Sequence, residues 1–416
     1  MTADQTARTG KSRRPALRAA VTLAVGAGLL ATLAPVAAAR PADRAADRAV
    51  VDLADPARPT SPTSPAGHID RTAAHAALAA LTDLGYSTSA LAAVREDGRL
   101  VWRDATGVAD LATRAPADPE GRFRIGSSTK TFVATTLLQL VGEHRLDLDD
   151  HLESLLPGIV PNSTGITVRQ LLNHTSGVAD YTKDPAFDFY QPGWLTTGRF
   201  TSYSLRDLVG IADRYPPTFA PGQDWKYSNT NYILVAMIIE KLTGHSWSDE
   251  VTRRIIRPLH LTGTSLPGDL PFIPGPHAHG YLKTATGPVD VTLLNPSMAG
   301  PSGGAVSTTA DLTAFLRALF GGRLLRPAEL AAMQQTTTHG EGRTYGLGIQ
   351  RMDTPCGPVW GHAGGIPGYL NTMLSSPDGK RQFAANTTMY DVPDEAAGRA
   401  AWNNVAFTAL CGPQAP

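Results

Sequence analysis

An excess of charge of either sign is missing from this chain. Its 416 residues carry 37 Lys+Arg against 37 Asp+Glu, and charged residues make up only 18%. Binding a phosphate backbone needs a basic surplus on some face, so this balance argues against a nucleic-acid partner. Cysteine is almost absent: two residues are too few for a disulfide-framework miniprotein or a four-cysteine zinc site. Aromatics are sparse at 7%, but 42% hydrophobic residues suit an ordinary globular core rather than a disordered or fibrous chain. Long apolar runs are lacking apart from one stretch near the N-terminus. At roughly 150 residues per domain, the length fits two or three units, or one large α/β domain carrying an insertion. What remains is the composition of a soluble globular enzyme.

The N-terminal stretch has the anatomy of a secretory signal peptide over residues 1–39. Lys11, Arg13, Arg14 and Arg18 form a basic n-region, residues 19–33 are apolar and small, and Ala37-Ala38-Ala39 supplies a cleavage site. Fifteen residues rich in Ala and Gly are short for a span of ~20 residues, which disfavours a permanent anchor. Ser12-Arg13-Arg14 with Leu17 partly fits a twin-arginine signal, although Pro15 and Ala16 fit it poorly. Residues 40–69, with the Pro-Thr-Ser repeat at 59–65, have the make-up of a disordered linker. The expectation is a secreted protein with no membrane anchor after cleavage. In an oxidising compartment Cys356 and Cys411 most simply form one disulfide, free thiols being the alternative.

Hydrophobic periodicity organises the rest. A helix is predicted over 70–84 with Asp70 as N-cap, then strands over 86–94 and 99–102 around the turn Glu96-Asp97-Gly98. Val133, Ala134, Leu137, Leu138 and Val141 line one face of a strong helix over 131–141. Further helices are predicted over 166–173, 204–212 and 231–242, the last closed by Thr243-Gly244. Strands follow over 345–352, 359–362 and 369–376, then the turn Pro377-Asp378-Gly379-Lys380, a strand over 381–387 and a helix over 395–410. The fold class implied is α/β (α+β): an antiparallel sheet built from both chain ends and flanked by helices, with a mostly helical inserted subdomain. One unit would span 70–412, with 70–150 and 300–412 forming the α/β part and 151–299 the insertion.

Ser127-Ser128-Thr129-Lys130 opens the strong helix. Residues three apart share a helix face, so Ser127 and Lys130 would lie side by side. A serine hydroxyl attacks only when a base takes its proton, and a desolvated lysine can serve. The helix start also offers unpaired N–H groups for an oxyanion. Taken alone, the motif is weak, and a capped helix is its plainer account. Tyr227 and Asn229 bracket Ser228 before another helix, and His362-Ala363-Gly364 follows a strand. Separately, Tyr227 has a plainer account as a packing residue and His362 as a structural histidine.

Together these elements resemble the serine β-lactamase and penicillin-binding-protein superfamily: Ser127-x-x-Lys130, Tyr227-x-Asn229, His362-x-Gly364, in that order. They are similar to the branch holding class C β-lactamases, family VIII esterases and secreted D-alanyl-D-alanine carboxypeptidases. The stretches 166–177, 227–231, 238–244 and 345–348 extend the likeness, which covers about residues 75 to 412. The carboxypeptidase type also shares the placement of Cys356 and Cys411 and a C-terminal helix. The resemblance implies an acyl-enzyme on Ser127, with Lys130 and Tyr227 sharing the proton work and Tyr227 acting as phenolate or relay. Asn229 would orient Lys130 and bind the substrate amide. His362 would hold the edge of the site, and the N–H groups of Ser127 and Gly365 would form the oxyanion hole.

Substrate is where the sequence departs from that type. Hydroxyl residues flanking the His-x-Gly glycine and an arginine on the preceding strand are replaced by Ala363, Gly365 and Gln350, with Gly364 completing the substrate-binding edge. Arg351 is adjacent to Gln350, but strand neighbours face opposite sides. A dipeptide carboxylate thus loses charge-assisted partners worth roughly 1.5–3 kcal/mol each, which raises an esterase or amidase reading. The expectation is a carboxypeptidase-type serine hydrolase acting on cell-wall stem peptides or related acyl substrates, with β-lactams as ligands. The alternatives are a class C-type β-lactamase, a family VIII-like esterase or amidase, and a non-catalytic cell-wall-binding or penicillin-sensing protein. No cofactor, metal or nucleic acid is expected, and the chain is expected to be a monomer. The glycine-rich loop 300–304 lacks the preceding strand of a nucleophile elbow and is expected to be structural. His277 and His279 lack a third metal ligand, and Asp147, Asp149 and Asp150 lack the glycine and terminal glutamate of a calcium loop.

Overall fold

Local signals at the start of the folded chain set the first layer. In the computed structural model, which describes residues 69–161, 163–337, 344–388 and 395–412, the Asp70 carboxylate accepts from the backbone N–H groups of Thr72 and Ala73, each at 3.0 Å. That cap starts α1 (Arg71–Asp83), whose Ala74, Ala77, Leu78 and Leu81 are buried. β1 (Ser89–Glu96) turns into β2 (Arg99–Gly107) through Asp97 and Gly98, whose φ angles of 44° and 84° are the left-handed pair a tight hairpin needs. The expectations for the signal peptide and nearly all of the linker lie outside the described residues.

The middle of the chain supplies β3 (Phe123–Arg124), α2 (Thr129–Gly142), α3 (Leu152–Leu155), α4 (Val168–Leu172), α5 (Pro192–Thr196) and α6 (Leu205–Ala212). After these come α7 (Asn229–Thr243), α8 (Trp247–Val251), the hairpin β4 (Tyr281–Thr284) and β5 (Gly287–Asp290), β6 (Val306–Ser307), α9 (Thr309–Phe320) and α10 (Pro327–Met333). The C-terminal part holds β7 (Gln350–Thr354), β8 (Gly357–Ile366), β9 (Tyr369–Ser375), β10 (Arg381–Thr388) and α11 (Glu395–Cys411). Capping boxes, Thr167 with Gln170 and Ser204 with Asp207, start α4 and α6. Gly244, at φ 73°, closes α7.

Six strands form one antiparallel sheet in the order β2-β1-β10-β9-β8-β7, so both ends of the chain build it. Side chains alternate across the sheet. Ala90, Ala92, Val94, Leu374 and Phe383 form one core with Leu78, Leu81, Trp402 and Val405 of α1 and α11. Leu91, Trp360, Met373 and Ala384 belong to a larger core on the other face, with Phe132 of α2 and Phe315 of α9 stacked at 3.8 Å.

Three details depart from the sequence expectation. The helix α9, which covers the inner face of the sheet, was not foreseen, and the stretch 151–299 includes the β4–β5 hairpin. The strand expected from 345 starts only at Gln350. Gly348, at φ 75°, runs against α2 and α7, where a Cβ would come within 2.4 Å of Ala134 Cβ and 2.7 Å of Tyr232 Oη. β8 continues to Ile366, past its last β7 pair, Gln350 with Gly361, so among the described residues His362 to Ile366 keep only β9 as a strand neighbour. Among the described residues no helix is long and apolar enough to cross a membrane.

Cys356, in the β7–β8 turn, is bonded to Cys411 at the end of α11, a separation of 55 residues. Arg381 also holds this end, donating to Leu410 O at 2.7 Å and pairing with Glu96 at 2.8 Å. Closing a loop of this size contributes about 4 kcal/mol on the chain-entropy account. Replacing both cysteines by serine is expected to lower the calorimetric unfolding midpoint by about 5 °C. A reductant should shift the native protein alike, and an unchanged midpoint in both cases would refute a stabilising role.

Candidate active site

The Ser127 turn is built by close backbone approach. β3 pairs with β6, and Ile125 N–H donates to Ala305 O at 3.0 Å. Gly126 then bends the chain at φ 45° into the 3-10 turn Gly126–Ser128 and on into α2. A Cβ on Gly126 would lie 2.6 Å from Gly365 O and 2.8 Å from Gly365 N, and one on Gly364 would lie 2.0 Å from Ile125 O. Only glycine at both positions lets this turn rest on the open edge of β8. Asn371 of β9 ties the pieces: its Nδ2 donates to Ile125 O (2.8 Å) and Gly364 O (2.9 Å), and its Oδ1 accepts from Ser128 Oγ (2.7 Å).

Lys130, one helical turn after Ser127, is completely buried. Its Nζ lies 2.6 Å from Ser302 O, 2.7 Å from Asn229 Oδ1 and 3.1 Å from Ser127 Oγ. Desolvation lowers its pKa to about 7, with the Asp180 carboxylate pulling the other way. A neutral amine has two N–H donors and one lone pair. The two shorter contacts accept the hydrogens, and the lone pair is left for the Ser127 hydroxyl. The loop 300–304 thus contributes a carbonyl to Lys130 rather than a nucleophile, and Ser302 Oγ donates to Ala299 O at 2.6 Å.

Asn229 opens α7, and both ends of its amide are engaged: Oδ1 accepts from Lys130, and Nδ2 donates to Asp180 Oδ2 at 3.0 Å. The structure therefore holds it as a link between Asp180 and Lys130. Tyr227 is buried, with Lys130 Nζ 4.8 Å from its ring centroid. Burial raises its phenol well above the ordinary value while the nearby Ser127 hydroxyl opposes the shift, so the pocket favours phenol over phenolate. No hydrogen bond of ordinary geometry closes on its oxygen among the described residues.

His362 is buried and held low, to about 3, chiefly by desolvation and then by Lys130. It is therefore a neutral imidazole at ordinary pH. Nδ1 faces Ala363 O, and Nε2 accepts from Tyr345 Oη at 2.7 Å. Gln350 is buried opposite Gly361, on the sheet face that Ala363 shares and His362 does not. Arg351 pairs at the surface with Asp353 at 2.8 Å. Ala363, Gly364 and Gly365 lie in register with Thr372, Asn371 and Leu370. His279 pairs with Asp290 at 2.7 Å, and no metal-holding cluster of acidic, histidine or cysteine residues occurs among the described residues.

Ser127, Lys130, Tyr227 and Asn229 converge, and Gly365 lies against their turn. Sequence reasoning assigned no role to Asp180, Asn371, Tyr345 or the Ser302 carbonyl. Asp180 and Asn371 carry one faint signal, a polar residue within an apolar stretch, namely Ala179-Asp180-Tyr181 and Leu370-Asn371-Thr372.

The profile of the Beta-lactamase family matches residues 76–406. A D-stereospecific amidohydrolase from Streptomyces sp. superposes with a TM-score of 0.76 at 39% identity, covering 83% of this chain and all of that one. The D-amino acid amidase of Ochrobactrum anthropi SV3, complexed with L-phenylalanine, gives 0.70 at 26% identity, covering 80% of this chain and 98% of that one. Penicillin-binding protein 4 of Amycolatopsis lactamdurans is 31% identical over 293 residues, 66% of this chain and 74% of that protein. A penicillin-binding protein of Bacillus subtilis (strain 168) is 29% identical over 300 residues, 69% of this chain and 65% of that relative, just under two thirds of its length. On the family match over most of its length, with the motifs Ser127-x-x-Lys130, Tyr227-x-Asn229 and His362-x-Gly364 in place, the chain belongs to the Beta-lactamase family and is a serine hydrolase of that fold.

Proposed function

We propose that this protein is an exported D-stereospecific amidohydrolase that acylates Ser127 with amides, and related esters, of D-amino acids or short D-peptides. The observation that carries the mechanism is the convergence of Ser302 O, Asn229 Oδ1 and Ser127 Oγ on one buried amine. Neutral Lys130 takes the hydroxyl proton as Ser127 Oγ attacks the substrate carbonyl carbon. Backbone N–H groups of Ser127 and Gly365 receive the oxyanion. Tyr227, as a phenol, relays the proton to the leaving amine, whose C–N bond breaks to give the serine ester. Water then adds to that ester and releases the acid, returning the proton to Ser127. The disulfide supports export to an oxidising compartment.

The 39% identity to a D-stereospecific amidohydrolase favours this substrate class. Ala363, Gly365 and Gln350 agree with it, since an amide or ester has no terminal carboxylate that needs a cationic partner. The penicillin-binding relatives favour a second reading, D-alanyl-D-alanine carboxypeptidase. A panel separates them. D-phenylalanine p-nitroanilide should be hydrolysed well ahead of its L-enantiomer and of diacyl-Lys-D-Ala-D-Ala, and nitrocefin should be turned over poorly. Preferential release of D-alanine from the peptide would hand the case to the second reading. Ser127→Ala is expected to lose roughly a thousandfold or more of kcat, and retained turnover would refute the acyl-enzyme.

The pH dependence follows from Lys130. Its competent form is the neutral amine, so log kcat/KM should rise with unit slope as pH approaches about 7 and then level. His362 is already neutral there and adds no second limb. A profile flat from about pH 5.5 to 8.5, within two units of that ionisation, would exclude Lys130 as the base.

A further inference from the structure

Tyr227 lies in an extended segment before α7, where nothing in its own sequence fixes a phenol to within a fraction of an ångström. The fixing comes from across the fold. His174 follows α4 with its backbone in the left-handed region at φ 64°, a conformation uncommon outside glycine. Its carbonyl accepts from Lys226 N–H at 3.1 Å, and its ring Nδ1 accepts from Ser228 N–H at 3.3 Å. One residue thus grips the chain on both sides of Tyr227. Its imidazole also packs against the phenol ring, with centroids 4.2 Å apart and planes inclined at 35°.

The tautomer is set by a second contact. Asn231 Oδ1 accepts from Ser176 Oγ at 2.7 Å, which turns Asn231 Nδ2 toward His174 Nδ1 at 3.2 Å. Nδ1 is therefore an acceptor, and the ring hydrogen belongs on Nε2, which has no hydrogen-bond partner among the described residues. Burial, Lys130 from α2 and His362 from β8 all hold this imidazole neutral. Tyr232 of α7 and Tyr345 complete the surrounding cage, at centroid distances of 5.6 and 4.7 Å. A cationic ring would lose the Nδ1 acceptor and release Ser228.

We propose that His174 is a positioning residue for the reaction: by binding the N–H groups on either side of Tyr227 and packing against its ring, it holds the phenol at Ser127 and Lys130. The inference rests on the reading of Tyr227 as proton relay, and it touches neither substrate nor the reacting atoms directly.

The test uses the full chain with ethyl acetate, its hydrolysis followed as acid release, a small acyl donor whose alkoxide leaving group needs a proton and whose use does not depend on D-amino-acid specificity. His174→Gly keeps the left-handed backbone but removes ring and acceptor. His174→Asn also tolerates that backbone and carries an amide atom near the place of Nδ1. His174→Gly is expected to lower kcat by about 100-fold, the scale of a misplaced catalytic group, with KM changed by less than about threefold. His174→Asn should recover most of that loss, and adding His174→Gly to Tyr227→Phe should cost no more than about twofold further. The proposal is overturned if His174→Gly adds its full loss on top of Tyr227→Phe, or if kcat falls by no more than about threefold. Should the glycine variant precipitate, His174→Asn takes its place in the cycle, and a fully additive loss again overturns it. If Tyr227→Phe alone keeps full activity, the relay reading falls and this inference with it, whereas an additive cycle removes only the inference.

Discussion

A primary amine taken fully out of water governs this structure. Burying a charged ammonium costs several kcal/mol unless its partners are in place, and Lys130 is met by a loop carbonyl, a helix-start amide and the serine it serves. Those three partners come from the 300–304 loop, α7 and the turn before α2. The amine therefore reports whether α7 and the 300–304 loop have closed on the start of α2. Asp180 extends the arrangement by orienting Asn229, and its charge offsets part of the desolvation of Lys130.

The second constraint is steric. Gly126, Gly364 and Gly365 form a seam in which backbone meets backbone, and the calculated Cβ clashes of 2.0 to 2.8 Å leave no room for a side chain at the first two. Asn371 satisfies the carbonyls that this approach would otherwise strand. Because β7 ends its pairing at Gly361, the rest of β8 leaves that edge to the Ser127 turn. Sheet register and nucleophile position are thus one fact seen from two sides.

Much of this was legible in the sequence where the cause is local. The Asp97-Gly98 hairpin, the cap at Asp70 and the one-turn spacing of Ser127 and Lys130 depend on neighbours in the chain. The disulfide needed only the compartment and a count of two. What stayed hidden depends on distant partners. The expected strand is shortened because α10 presses on Gly346 through Met333 while α2 and α7 press on Gly348, and no period in residues 345–352 records that pressure. The Tyr345–His362 pair spans 17 residues and Asn371 to Ile125 spans 246, so their roles appear only once the strands are in register. Asn229 shows the same limit: its place beside Lys130 followed from the resemblance, but its engagement by Asp180 did not.

The order of the strands has a consequence for biosynthesis. β1 pairs with β10, joining Ser89 to Thr388, and the seam that shapes the Ser127 turn is completed only by β8 and β9. Contacts this distant along the chain are slow to form and cannot form while the later strands are still inside the ribosome. A nascent chain carrying Ser127 and Lys130 but lacking β8 and β9 has the nucleophile and its base one turn apart, yet no wall against which to hold them. Topology alone therefore defers assembly of the Ser127 turn to the end of synthesis.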